Sequence, residues 1–454
     1  MAERKLFGTD GIRGRANCHP VTPEIAFRLG RAVGFLLRQP ETAKEPTRFV
    51  IGRDTRRSGP MLESALVAGL SSIGVDAQLA GVIPTPAVAC LVRELEAAGG
   101  IVLSASHNPA EDNGLKVFGS DGYKLDDLLE EHLEELIISG EIDTVRPVGA
   151  YIGTASEITD PLRRYAAIAK ASVPGMSLHG LRIALDTANG ASVWTTPHVL
   201  RDLGAAVDLF HSSPDGMNIN AGCGSTHPEV ISRLVLETGA QIGISHDGDA
   251  DRVVLCDELG DIVDGDEILA MTAVDALKRG TLAGRTLVAT VMSNFGLDEC
   301  IAKAGGRVLR TGVGDRYVVE AMRAGDFSIG GEQSGHLIFR EHGTTGDGLL
   351  AALQVLRIMT ESGRPLSHLR RILKKYPQAQ RNIHVREKPP LGSLPEVAAL
   401  ISSAETELGG KGRILLRYSG TEPKVRLLIE GLEEKVINTA ADRIAAALKS
   451  SIGS

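Results

Sequence analysis

The 454-residue sequence predicts an α/β protein: three similar α/β domains with mixed, largely parallel sheets, followed by a smaller α+β C-terminal domain. Three observations carry this expectation. One pattern recurs three times: a β-branched strand, a polar turn, an amphipathic helix, a glycine and a second strand. Strands alternating with helices make βαβ units, and right-handed crossovers lay those strands parallel in sheets covered on both faces. The length exceeds what one hydrophobic core organises and asks for about three or four domains. After Lys375 the texture changes, as Tyr376-Pro377 and Lys388-Pro389-Pro390 break the alternation.

The first copy begins with Arg48-Phe49-Val50-Ile51-Gly52-Arg53-Asp54, continues through a helix from Ser64 to Leu70, and closes with Gly74 and Val75-Asp76-Ala77-Gln78-Leu79. The second runs from Leu181-Arg182-Ile183-Ala184-Leu185-Asp186 to Ala206-Val207-Asp208-Leu209, and the third from Thr286-Leu287-Val288-Ala289-Thr290-Val291 to Arg307-Val308-Leu309. A helix and two strands, at Arg413 to Leu416 and Val425 to Ile429, make up the last domain. The expected domains are 1–154, 155–257, 258–373 and 374–454.

Composition narrows the function classes. Hydrophobic residues are 43% and charged residues 23% of the chain, as in ordinary globular proteins. Aromatic residues are 4%, the net charge is −8, and no long basic run appears, so neither a nucleic-acid groove nor an anionic-membrane patch is expected. The opening residues lead at once into Phe7-Gly8-Thr9-Asp10 and leave no room for the apolar core of a signal peptide, so a cytoplasmic location is expected. The five cysteines, Cys18, Cys90, Cys223, Cys256 and Cys300, are scattered and fit reduced structural thiols.

Four loops carry chemistry. Ser104-Ala105-Ser106-His107-Asn108-Pro109 follows the apolar strand Ile101-Val102-Leu103, and ligands bind at such loops past the carboxyl ends of strands. Ser106 is a candidate nucleophile or phosphoryl carrier, with Lys116 ten positions on as a candidate acid or base if its pKa is lowered. The bland alternative is a polar turn shaped by Asn108-Pro109. In Asp247-Gly248-Asp249-Ala250-Asp251-Arg252, three carboxylates at alternate positions converge on a hard cation, and magnesium is the natural reading. An EF-hand would need glycine where Arg252 stands and a helix where Val253-Val254-Leu255-Cys256 reads as a strand, and a purely structural acidic turn is the bland alternative.

Gly330-Gly331-Glu332-Gln333-Ser334-Gly335-His336 separates Glu332, Ser334 and His336 by glycines and suits recognition of sugar hydroxyls, against the alternative of a glycine-rich turn. Arg417-Tyr418-Ser419-Gly420-Thr421-Glu422-Pro423-Lys424-Val425-Arg426 combines hydroxyls, a glycine and flanking guanidiniums in an anion nest for a phosphate monoester, against the alternative of a simple β-turn. Neither a Walker A loop nor a convincing dinucleotide fingerprint occurs. At the amino end Arg13 is a candidate to reach a phosphoryl group and Asp10 to hold it, against the alternative of a glycine-rich loop with a surface arginine.

Together these loops resemble the α-D-phosphohexomutase superfamily, one diagnostic loop per domain over essentially the whole chain. Phe-Gly-Thr-Asp-Gly-Ile-Arg-Gly, Gly-Glu-Gln-Ser-Gly-His and Ser-Gly-Thr-Glu-Pro are most similar to its phosphoglucosamine mutase family. The resemblance implies that Ser106 is a phosphoserine, and that its phosphoryl oxygen joins Asp247, Asp249 and Asp251 in binding one Mg2+ per subunit. It implies that Glu332 and Ser334 bind sugar hydroxyls, and that Arg417, Ser419, Gly420 and Thr421 grip the phosphate not being transferred. Arg13, His107, Lys116 and Arg252 match positions near the reacting phosphoryl group, with Lys116 as general acid or base, and Thr311-Gly312-Val313-Gly314-Asp315-Arg316 matches a loop that selects sugar orientation.

The activity so implied is an isomerase, interconverting glucosamine 6-phosphate and glucosamine 1-phosphate through a hexosamine 1,6-bisphosphate and feeding UDP-N-acetylglucosamine synthesis. The expected partner is a small-molecule sugar phosphate, with no nucleic acid or membrane, and a homodimer rests on the resemblance alone. Phosphomannomutase/phosphoglucomutase activity is the alternative. A metal-dependent phosphatase using Ser106 and a non-catalytic sugar-phosphate sensor are further rivals, and a sensor would have no use for a phosphoryl carrier.

Overall fold

The computed structural model describes residues 6–8, 10–37, 47–419 and 423–453. The first sheet has seven strands in the spatial order Phe7–Gly8, Gly11–Arg15, Asp112–Gly119, Gly99–Leu103, Arg48–Arg53, Asp76–Val82 and Ala155–Glu157. Arg48–Arg53 lies between two parallel partners, and its Phe49-Val50-Ile51 run is buried, as a strand covered on both faces requires. The second sheet, five-stranded, is ordered Ile262–Val263, Val253–Asp257, Ile242–His246, Arg182–Asp186 and Ala206–Phe210. The third has four strands, Arg307–Thr311, Thr286–Thr290, Ile329–Gly331 and Leu337–Phe339, and the last three, Gln378–His384, Lys424–Gly431 and Gly412–Tyr418. Two short edge strands, 155–157 and 262–263, lie past the expected junctions at 154 and 257, being too short to show any periodicity.

Each repeat pairs its two strands parallel, then adds a third strand on the other side of the first. A fourth strand then returns antiparallel: Gly99–Leu103 to Asp112–Gly119, Ile242–His246 to Val253–Asp257, and Ile329–Gly331 to Leu337–Phe339. The sheets are therefore mixed, with parallel cores and antiparallel edges. In the all-antiparallel last sheet, Gly412–Tyr418 returns into Lys424–Gly431. Each of the four loops singled out above connects one such antiparallel pair, so the same structural position carries the chemistry in every domain.

One hydrophobic core runs continuously through the first three domains, from Val50 and Val88 through Leu185 and Ile244 to Leu287 and Leu353. The C-terminal domain has its own core around Val425, Leu427, Ile429 and Ile444. Its sheet docks on the third domain through buried Glu430, which pairs with Arg413 and accepts hydrogen bonds from Phe295 N at 3.1 Å and Gln378 Nε2 at 2.8 Å. No helix among the described residues is long and apolar enough to cross a membrane. Cys223 stands near Asp186 and His211, but both oxygens of Asp186 already accept backbone N–H groups, from Ala188 and Gly224, at 2.9 Å.

A buried polar contact joins the second and third domains. The Tyr165 hydroxyl, on helix Pro161–Ala171, lies 2.9 and 2.8 Å from the oxygens of Asp347, which also accepts from Leu350 N at 2.9 Å and so caps helix Gly348–Ser362. Burial raises the Asp347 carboxyl from its ordinary 3.8 to about 6. A raised carboxyl pKa means the folded state holds the proton more tightly than the unfolded chain, so this group's contribution to stability falls as pH rises through about 6. Tyr165→Phe removes a donor to the charged form. It is expected to destabilise by about 1.5–3 kcal/mol at pH 8 and by less at pH 5 in urea titrations. An equal loss at both pH values would count against this account.

Candidate active site

Ser106 sits in the turn after strand Gly99–Leu103, 1% exposed, with φ +52°. A side-chained residue in this left-handed region costs about 1 kcal/mol or more and persists only where its surroundings fix it. Here its N–H donates to Ser104 Oγ at 2.9 Å, Ser104 Oγ donates to Asp54 Oδ2 at 2.6 Å, and its carbonyl accepts from Arg56 Nη2 at 3.0 Å. Arg56 is buried and pairs with Asp54 at 2.8 Å.

The Ser106 hydroxyl donates to Asp247 Oδ2 at 2.5 Å and lies 3.3 Å from His107 Nδ1. The serine and the aspartate turn, 141 positions apart in the chain, therefore meet. Their backbones also meet: a Cβ at Gly248 would stand 2.6 Å from the Ser106 carbonyl, so only glycine fits there. Burial, with Arg252 and Arg13 adding to it, pushes the His107 ring down to about 4, so it is neutral at physiological pH.

Asp247, Asp249 and Asp251 are buried, and one oxygen from each lies within 4.8 Å of the others. Oδ1 of Asp249 and Oδ1 of Asp251 are buried without a hydrogen-bond partner among the described residues, and so is Arg252 Nε, 3.9 Å from Asp251 Oδ1. Burial and its two acidic neighbours raise the Asp247 carboxyl well above its ordinary value. Carboxylate oxygens left without hydrogen-bond donors in a buried cluster fit a hard divalent cation, and a guanidinium N–H without an acceptor beside them fits the anion such a cation would bring.

Lys116, on the return strand, is buried in a cage of carboxylates: 2.8 Å from Asp249, and 3.4 Å from both Asp251 and Asp10. Burial opposes its charge, but Asp10, Asp249 and Asp251 outweigh it and raise the pKa. The lowered pKa expected for a base is thus not found. The reason is that acids from separate segments surround it, an arrangement no local pattern displays. Arg13 pairs with Asp10, which also pairs with Lys124, and Lys124 pairs in turn with Asp315 at the start of helix Asp315–Gly325.

His336, expected at the sugar, is 3% exposed and lies between Asp251 at 3.7 Å and Asp315 at 3.8 Å. Its Nε2 accepts from Gly346 N at 3.0 Å, which leaves the ring proton on the Nδ1 that faces Asp251. The turn that carries it forms because Gly335 has φ +91° and packs against the Val253 carbonyl, leaving no space for a Cβ. In the same turn Glu332 is half-buried and accepts from Gly314 N at 3.2 Å, while Ser334 is exposed.

In the C-terminal sheet Arg417 and Arg426 are register partners and line a cavity of about 210 Å³ with Gln380, Asn382, Lys424 and Met292. Burial and Arg426 lower the Arg417 pKa, and Arg417 Nε is buried without a hydrogen-bond partner among the described residues, an arrangement that suits an anion. Ser419 is buried and its N–H donates to the Lys424 carbonyl at 2.8 Å. Gly420 and Thr421 lie outside the described residues.

Sequence reasoning passed over Arg56, Lys124 and Asn220. Arg56 had a signal, since Asp54-Thr55-Arg56 follows the carboxyl end of a strand as the serine loop does. Lys124 and Asn220 act through contacts more than 100 positions away, and nothing local marks them.

The chain matches four family models in order: phosphoglucomutase/phosphomannomutase alpha/beta/alpha domain I over residues 4–142, domain II over 164–260, domain III over 264–376, and the C-terminal domain over 381–447. It is 51% identical over 455 residues to a phosphoglucosamine mutase of Anaeromyxobacter sp. strain Fw109-5, covering 99% of this chain and 96% of that protein. A phosphoglucosamine mutase of Geotalea daltonii is 50% identical over 451 residues, covering 99% of each. A phosphoglucomutase/phosphomannomutase family protein from Burkholderia thailandensis shares the fold with a TM-score of 0.80 at 23% identity, covering 99% of this chain and 98% of that one. Aspergillus fumigatus N-acetylphosphoglucosamine mutase, solved with GlcNAc-6P and magnesium, has a TM-score of 0.66 at 18% identity, covering 98% and 95%.

Proposed function

Because the chain belongs to the phosphoglucomutase/phosphomannomutase family, we propose that it is an isomerase interconverting glucosamine 6-phosphate and glucosamine 1-phosphate through a phosphoryl group carried on Ser106. The observation that carries this reading is the buried Ser106 hydroxyl 2.5 Å from Asp247, in a cluster of carboxylates two of whose oxygens have no hydrogen-bond partner among the described residues. Full-length relatives at about half identity, named phosphoglucosamine mutase, favour a hexosamine over the phosphomannomutase/phosphoglucomutase alternative.

Asp247, Asp249 and Asp251 would hold Mg2+ together with a phosphoryl oxygen on Ser106, and the ion supplies charge neutralisation at that phosphoryl group. The chain's own groups do the rest. The bond from phosphorus to Ser106 Oγ breaks as one forms to the free sugar hydroxyl, giving a hexosamine 1,6-bisphosphate. Reversal at the other phosphate restores the phosphoserine. Arg13 and Arg252 stand beside the carboxylates, suited to the phosphoryl oxygens. Lys116 enters as an ammonium and is suited first to giving a proton. It can take the proton of the attacking hydroxyl only when its carboxylate neighbours are engaged elsewhere. Glu332 and Ser334 suit the sugar hydroxyls in either orientation, and the Arg417 and Arg426 cavity suits the phosphate not being transferred.

Two measurements test the reading. Mass spectrometry of the Ser106 peptide is expected to find a phosphate there, and product analysis to find glucosamine 1-phosphate formed from glucosamine 6-phosphate faster than the glucose or mannose phosphates isomerise. Release of inorganic phosphate with no isomeric sugar phosphate would replace the mutase with a phosphatase.

A further inference from the structure

We infer that Asn220 is a positioning residue for phosphoryl transfer, holding the Ser106 carbonyl from the second domain so that the serine hydroxyl stays aimed at the aspartate turn; this rests on the reaction proposed above. Asn220 Nδ2 donates to the Ser106 carbonyl at 2.9 Å and lies 3.1 Å from that of Asn108. Arg56 Nη2 reaches the same two carbonyls, at 3.0 and 2.8 Å. The serine turn is thus gripped from both sides, by an arginine of its own domain and by an amide of the next. Only the amino end of an amide can face two carbonyls, which fixes the orientation of Asn220.

The amide is kept for that donation. Asn220 is 8% exposed with φ +59°, and its Oδ1 is buried without a hydrogen-bond partner among the described residues. A buried side chain in a strained backbone, with its acceptor unused and its donor on two carbonyls, is placed for the donor. The loop that carries it also holds the metal-binding turn, since Ser225 N donates to the His246 carbonyl at 2.8 Å. One loop therefore sets the serine turn and the aspartate turn relative to each other. The left-handed Ser106 peptide would relax without the second donor, and its hydroxyl would lose the direction that gives the 2.5 Å contact with Asp247.

The test compares wild type with Asn220→Asp, which is isosteric but presents no ordinary donor, and with Asn220→Ser, which is smaller and neutral. For each, kcat and KM for glucosamine 6-phosphate, the single-turnover rate of phosphoryl transfer from the purified phosphoenzyme, and the melting temperature are measured. An ångström-scale misplacement predicts that kcat and the transfer rate fall about 30- to 100-fold in a folded variant. KM is expected to stay within about threefold of wild type, because no sugar contact is lost. If a folded variant keeps kcat within threefold of wild type, or if KM rises as much as kcat falls, the inference is overturned. It is also overturned if neither variant folds, because the role is then structural. An inactive wild type in the same assay overturns the reaction itself, whereas an active wild type with equally active variants overturns only the positioning role.

Discussion

Ser106→Ala is expected to stop mutase turnover, by on the order of 10⁴-fold or more, because it removes the hydroxyl proposed to hold the phosphoryl between the two half-reactions. The fold should survive. The lost hydroxyl removes one hydrogen bond to Asp247, worth about 1–3 kcal/mol when the acceptor is buried, and Asp247 keeps the Arg252 N–H at 3.2 Å on its other oxygen. Circular dichroism is expected to be unchanged, and the phosphate expected on the wild-type peptide to be absent. Turnover above about one per cent of wild type would mean that the carrier is elsewhere, since chemistry without its nucleophile retains far less than that. The neutral His107, 3.3 Å away, is the first group to which such a result would point.

The second large effect separates activity from stability. Asp247→Asn is expected to cut turnover by on the order of 10³-fold, as loss of a metal ligand and of charge complementarity in phosphoryl transfer does. Without metal, the same variant is expected to be as stable as wild type or about 1 kcal/mol more stable. It removes a charge that burial and two neighbouring carboxylates both oppose, while the amide keeps the shape. Added magnesium should raise the wild-type melting temperature by mass action and raise the variant's much less. Chelation should stop wild-type turnover and magnesium should restore it. Turnover indifferent to chelation, with equal magnesium shifts in both proteins, would remove the aspartates from any metal site.

What the sequence made legible follows from the range of the forces involved. The strand-turn-helix periodicity is local, so the three α/β repeats and a smaller α+β last domain could be read directly, and so could four loops past strand ends, whereas strand Gln378–His384 could not. The aspartate triplet was readable because alternate positions of one turn suffice to bring its carboxylates together. The contact of Ser106 with Asp247 could be expected only by resemblance, because it joins segments in different sheets. Whether the pKa of Lys116 is lowered could not be read locally for the same reason: Asp10, Asp249 and Asp251 come from other segments, and together they outweigh a desolvation that alone would lower it. The burial of His336 between two acids was not legible in its own segment, because it depends on Gly335 packing on the Val253 carbonyl and on Gly346, ten positions on, packing on the ring.

The return of each sheet's last pair of strands has a consequence for how such a molecule can change over evolutionary time. Every reactive segment is tethered at both ends by a hydrogen-bonded ladder, so its entry and exit points are set by backbone pairing and not by the side chains it displays. A turn whose backbone meets no other turn can therefore be rewritten alone; the third is instead tied to the strand leaving the aspartate turn, where Val253 N donates to the Gly335 carbonyl at 3.1 Å. The serine and aspartate turns have no such freedom, because each is built against the other's backbone and neither can drift alone.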